Sequence, residues 1–217
     1  MEDLLLPLFP LEVVLLPQEL LPLHIFEARY KQMIGECLEA KKHGGGQQEF
    51  GILQLRGEEL HTVGCTAHVV NVTRQYADGR MDILTVGSRR FEVLYTNEEK
   101  AYLRGGVEFF DDEPASDTPT EAATQRAIEL FRETLQRLRK AKEIPIHLPP
   151  PYRHLSFRIA GSLPVELDFK QEMLALRDES ERLGRVTRLM EQIIAHADLV
   201  ERAREKAGGN GNVHSQA

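Results

Sequence analysis

The 217-residue sequence contains no tryptophan and only two cysteines, Cys37 and Cys65. Two cysteines cannot build a disulfide framework, so a disulfide-stapled secreted scaffold is not expected. No apolar run approaches the roughly 18–20 residues that a bilayer-spanning helix needs. The start, Met1-Glu2-Asp3, is acidic where a secretory leader would be basic, and prolines interrupt the apolar stretch behind it. Hydrophobic residues, at 41%, are too many for a disordered chain. The expectation is a soluble cytoplasmic protein with no membrane partner. The formal net charge of −7 argues against general nucleic-acid binding, which needs Lys and Arg to displace counterions from phosphates.

Catalytic signatures are scarce as well. No Gly-x-x-x-x-Gly-Lys-Ser/Thr string is present, and the Gly44-Gly45-Gly46 run ends in glutamine behind a helix, where a phosphate loop would follow a strand. The eight histidines are scattered; His61 and His68, seven apart, face opposite sides of one straight strand. Cys37 and Cys65 read as small buried hydrophobes. None of the six serines lies in a Gly-x-Ser-x-Gly elbow. Catalytic residues, cofactors and metal ligands are therefore all expected to be none. Arg89 and Arg90 are adjacent in a strand and should point to opposite faces. Arg137, Arg139, Lys140 and Lys142 close a long helix, where the helix dipole already favours cations.

What is present divides into two parts. Residues 1–117 hold 11 basic and 20 acidic side chains, a charge of −9; the remainder hold 16 and 14, a charge of +2. Most glycines fall in the first part. Between Leu4 and Leu23 four prolines forbid a helix and favour short extended segments. A helix from Phe26 to about Ala40 follows, with Phe26, Tyr30, Met33, Ile34 and Cys37 on one stripe. Strand-like runs then cover Phe50–Leu55, Thr62–Thr73, Arg80–Tyr95 and Leu103–Phe110. Asp78-Gly79 marks a tight hairpin and Gly105-Gly106 a bulge. Strands plus one helix in this length suggest a small, partly closed barrel with a helix against it.

The second part opens with Thr118-Pro119-Thr120-Glu121, read as an N-cap, a proline at the first helical position and a glutamate three residues after the cap. Four prolines break the chain at Ile144–Pro151. Asp168 with Gln171, and Asp178 with Glu181, start two later helices; Leu183, Val186, Met190, Ile193, Ala197 and Val200 form the buried stripe of the last. The fold class is α+β. The expected divisions are 1–117, a strand-rich domain, 118–207, a helical subdomain, and 208–217, a disordered tail.

One string in the first part is specific. Leu6-Pro7-Leu8-Phe9-Pro10-Leu11 is followed by Val14-Leu15-Leu16-Pro17 and then Leu21-Pro22-Leu23-His24-Ile25-Phe26-Glu27-Ala28-Arg29-Tyr30. Gly64, Asp78-Gly79-Arg80 and Gly87-Ser88-Arg89-Arg90-Phe91 come later in the same order. This set closely resembles the N-terminal substrate-binding domain of the ATP-dependent Lon protease family, and a looser likeness continues through Leu163-Pro164, Phe169-Lys170-Gln171-Glu172 and Glu181-Arg182-Leu183. The resemblance implies a PUA-like β-barrel followed by a helical subdomain. It also implies a role in recognising proteins. A full Lon protease continues into ATPase and peptidase modules, and this sequence does not, so the chain is expected to be no enzyme. The implied partners are proteins: client or unfolded polypeptides, an adaptor, or a separate protease. RNA binding through the barrel and a hydrolase with an unrecognised site are the alternatives, and a homodimer is open. Within the motif, Phe26 and Tyr30 are expected to anchor the helix, while Glu27 and Arg29 flank its apolar stripe, serving local structure or a partner. Phe26, Glu27, Arg29 and Tyr30 are the candidate partner-binding residues.

Overall fold

Proline spacing and apolar alternation in the first 110 residues produce strands, and the computed structural model shows six among the residues it describes. It describes residues 5–44, 48–113, 118–138 and 154–209, without the side chains of 205–209. In chain order the elements are β1 (Leu6–Leu11), β2 (Leu20–Ile25), α1 (Ala28–His43), β3 (Glu49–Arg56), β4 (Glu59–Gln75), β5 (Met81–Asn97) and β6 (Arg104–Phe110). The helices α2 (Glu121–Leu138), α3 (Leu155–Ser162), α4 (Leu167–Ala175) and α5 (Glu179–Gly209) follow. The chain divides into two compact units: residues 1–116 with 157–178, and residues 117–156 with 179–217.

In the first unit the partly closed barrel expected from the sequence is a six-stranded mixed sheet of order β2-β5-β4-β3-β1-β6. Among the described residues the only parallel pair is β1 with β3. The long β5 pairs with β4 over most of its length and with β6 over Arg90–Asn97. Leu6, Leu8, Leu53 and Phe91 form a core cluster. On the other side α1 lies against the sheet through Tyr30, Met33, Ile34 and Cys37, and the Tyr30 ring stacks on Phe9 at 3.9 Å. Four of the five residues expected on this stripe are therefore buried. Phe26 is not, because α1 begins two residues after it.

Two tight features rest on glycine. Asp78-Gly79 turns the β4–β5 hairpin, with Gly79 at φ +82 and its N–H donating to the Tyr76 carbonyl. Gly87 meets the Leu16–Glu19 turn so closely that a Cβ there would lie 2.1 Å from the Leu16 oxygen. The expected bulge is real but sits on the opposite strand. Val93 pairs with Val107 and Tyr95 with Gly106, which leaves Leu94 of β5 as the extra residue.

Residues 157–178, expected within the helical subdomain, group instead with the sheet. Polar tethers explain why. Arg90, 3% exposed, donates to the Leu174 and Leu176 carbonyls at the end of α4 and to Asp112. Gln171 Nε2 donates to the Val63 carbonyl at 3.0 Å, and Lys170 pairs with Glu19. Arg89 is exposed and pairs with Glu49, so the two arginines do take opposite faces. The α4 cap also differs: Glu166, not Asp168, is the N-cap residue, and its side chain makes no cap bond.

In the second unit α2 packs on α5. Ala127, Ile128, Leu130, Phe131 and Leu135 meet a stripe in which Leu183, Val186 and Met190 are buried, Ile193 and Ala197 half-buried, and Val200 exposed. Thr120, rather than Thr118, caps α2: its Oγ1 accepts the Ala123 N–H at 3.2 Å. The proline break at 144–151, the glycine run at 45–46 and the tail from 210 lie outside the described residues. The first two tail residues, 208 and 209, belong to the α5 backbone.

Candidate functional site

The motif segment leaves the Leu16–Glu19 turn, runs along β2 and ends at the start of α1. Its pairing with β5 sets Leu20 opposite Val86, Pro22 opposite Leu84 and His24 opposite Asp82. Directly opposed residues share a sheet face. The Gly87 N–H donates to the Glu19 carbonyl, so by alternation Leu21, Leu23 and Ile25 turn their backbone groups to β5. Leu20, Pro22 and His24 turn theirs outward. Proline at 22 therefore costs the ladder no donor, and it blunts the free edge against strand pairing. Side chains alternate in step. Ile25 is buried, Leu21 and Leu23 are half-buried, and Leu20, Pro22 and His24 are exposed.

Phe26 extends this outward series by one more step. It is 58% exposed, as is Leu20, and its ring stacks on His24. The β5 partners Leu84 and Val86 are half-buried, and the neighbouring β4 residue Val70 is exposed. The outer face of β2 and β5 thus carries an apolar stretch at one end and an aromatic cluster at the other. In that cluster His24 Nδ1 and the Tyr76 hydroxyl both hydrogen-bond the Asp82 carboxylate. These two bonds, His24 first, hold the Asp82 carboxyl below the usual range. Guanidinium groups of Arg74 and Arg80 lie 4.6 and 5.0 Å from the Tyr76 ring centre.

The four candidate residues have different surroundings. Phe26 is open to solvent. Glu27 is the N-cap residue of α1 and pairs through its carboxylate with Arg29, at 2.8 Å. The Arg29 guanidinium also lies over the Tyr30 ring, 4.7 Å from its centre. Tyr30 is 7% exposed and holds α1 to the sheet through Phe9; burial pushes its phenol up from the usual value. Sequence reasoning missed Leu20, Pro22, His24, Leu84 and Val86 as surface residues. The signal was the period-two spacing of 20, 22, 24 and 26, which ends in Phe26 and marks one strand face.

Both thiols and the Ser156 hydroxyl are sealed. Cys37 and Cys65 are buried, and burial pushes both thiols up to about 12. They stay protonated at neutral pH. Ser156 is fully buried; its hydroxyl donates to Glu179, and Arg182 donates to both. Within the second unit this trio ties Ser156 to the first turn of α5. Among the described residues no helix is long and apolar enough to cross a membrane.

Solved structures share this fold. A Lon N-terminal domain protein from Xanthomonas campestris superposes with a TM-score of 0.63 at 23% identity, over 84% of this chain and 96% of that one. The N-terminal domain of Lon protease from the Mycobacterium avium complex gives 0.63 at 17%, over 86% and 98%. In sequence the chain is 26% identical to Lon protease of Buchnera aphidicola over 93% of its own length, and 28% identical to Lon protease of Xanthomonas oryzae over 99%. It spans about a quarter of the length of these curated relatives. Residues 5–192 match the family described as the ATP-dependent protease La (LON) substrate-binding domain, and with most of the chain inside that match, the protein belongs to this family.

Proposed function

We propose that the chain is a non-catalytic recognition module that binds client or unfolded polypeptides through the outer face of β2 and β5. The observation that carries this reading is the exposed series Leu20, Pro22, His24 and Phe26, backed by Leu84 and Val86. Large apolar side chains gathered on one face, with the interior already filled by other residues, suit capture of apolar segments that a folded protein hides. The family's substrate-binding domain supports a role in recognition, and the relatives' names connect that role with proteolysis. Two buried thiols, neither in a disulfide, suit a reducing cytoplasm.

Of the four motif residues, Phe26 is the proposed contact. Tyr30 anchors α1 to the sheet through Phe9, and the Glu27–Arg29 pair follows Phe26 at the start of that helix. The test is binding of a permanently unfolded, carboxymethylated protein, followed by fluorescence anisotropy. Phe26→Ser and Leu20→Ser are each expected to weaken binding about tenfold with the thermal midpoint little changed. Undiminished binding by both folded variants refutes the reading.

A further inference from the structure

The aromatic end of the β2–β5 face differs from its apolar end in charge. Residues 1–117 are strongly acidic, yet the tip of the β4–β5 hairpin gathers cations. Arg80 is neutralised by Asp78 at 2.7 Å. Arg74 forms no such close pair: among the described residues no carboxylate oxygen lies within 4 Å of its guanidinium, which rests on the Tyr76 ring, and its charge reaches the Asp82 carboxylate only from farther off. Lys31, from the first turn of α1, donates its ammonium to the Asp78 carbonyl at 3.3 Å, a neutral acceptor. Its stem runs beside Gly79 of the same tip. Arg74 pairs across the sheet with Asp82, whose carboxylate His24 and Tyr76 already occupy.

Building on the proposed recognition role of this face, we infer that its polypeptide occupant carries a carboxylate next to its apolar stretch, placed to meet Arg74 and Lys31. The bound segment is extended. Its apolar side chains cover Leu20, Pro22 and Phe26, and an Asp, a Glu or the terminal carboxylate reaches the hairpin tip. Stacking on Tyr76 holds the Arg74 guanidinium before the ligand arrives, so little rotamer freedom is lost on pairing. A nucleic acid fits the same cations less well. Successive phosphates would run into Asp78 and Asp82, both held ionised below the usual carboxylate range by their hydrogen bonds. A single carboxylate meets only Arg74 and Lys31, the two cations of the tip that form no close ion pair among the described residues.

The test uses the full chain and fluorescein-labelled peptides with leucine and valine at alternate positions. One end of each peptide carries a pair of glutamates, glutamines or lysines, in both chain directions. The glutamate peptide is expected to bind about five- to tenfold more tightly than the glutamine peptide in at least one direction. That preference should fall below about twofold in the Lys31→Gln, Arg74→Gln double variant and in high salt. Phe26→Ser should weaken all three peptides alike. Equal binding of the three peptides, all weakened by Phe26→Ser, overturns the carboxylate subsite and leaves the apolar face standing. Binding that Phe26→Ser does not touch, or no binding of any peptide, removes both readings together. Single-stranded RNA that displaces the glutamate peptide and itself depends on Lys31 and Arg74 assigns the cations to nucleic acid and overturns the inference.

Discussion

Two six-residue strands of this protein are written in nearly the same alphabet and end in opposite places. β1 reads Leu-Pro-Leu-Phe-Pro-Leu and has its first four residues buried; β2 reads Leu-Leu-Pro-Leu-His-Ile and has only Ile25 buried. The difference is the number of covered faces: Leu6 and Leu8 of β1 enter the core cluster and Phe9 lies under Tyr30 of α1, whereas Leu20, Pro22 and His24 of β2 face solvent. β1 also lies between β3 and β6, whereas among the described residues β2 pairs with β5 alone. A strand covered on both faces has nowhere to present a leucine but the interior. An edge strand with one covered face must leave every second side chain in water. Hydrophobic composition therefore does not say whether a segment is core or contact surface; what covers each of its faces does.

The sharpest way to break the contrast is to truncate one leucine in each strand. Leu8→Ala, at a residue that is 0% exposed, is expected to destabilise the protein by about 2–5 kcal/mol, whereas Leu20→Ala should stay within about 0.5 kcal/mol. Urea unfolding of both variants reads this directly. Comparable losses would mean that β2 is as much core as β1. Gly87→Ala comes next. Its new Cβ would fall on the Leu16 carbonyl, so the turn that leads into β2 must shift, at a cost of about 1–3 kcal/mol. Weaker hydrogen-exchange protection in β2, with β1 unchanged, is the expected pattern.

The smallest effect is one of pH. Because Asp82 titrates below its unfolded value, its contribution is present above that value and is lost as pH falls through the folded pKa. His24→Ala removes the leading cause. It should move the Asp82 carboxyl, followed by NMR, up toward the ordinary value and flatten the acid limb of the stability curve. An Asp82 titration that ignores the substitution would disconnect this pair from the β2 edge.

Much of this was legible in the residues. Local chemistry specifies local structure: the prolines before Leu23 exclude a helix, Asp78-Gly79 builds a hairpin, and the stripe of Tyr30, Met33, Ile34 and Cys37 faces the sheet. The ordered string from Leu6 to Tyr30 pointed to the family. Phe26 shows where such reading fails. Helical spacing joins it to Tyr30, and strand alternation joins it equally well to His24. The backbone becomes helical only at Ala28, after the Glu27 cap, and strand alternation governs Phe26.

The sequence by itself determined the strands, the helices, the two-part charge pattern and the kinship, because each rests on neighbours within a few residues or on an ordered motif. Only the tertiary structure decided that β1 is interior and β2 is edge, that residues 157–178 group with the sheet, and that Arg90 is a buried tether while Arg89 is a surface pair. Each of those outcomes depends on partners tens of residues away. Burial and pairing belong to the whole contact set, which no local stretch of chain contains.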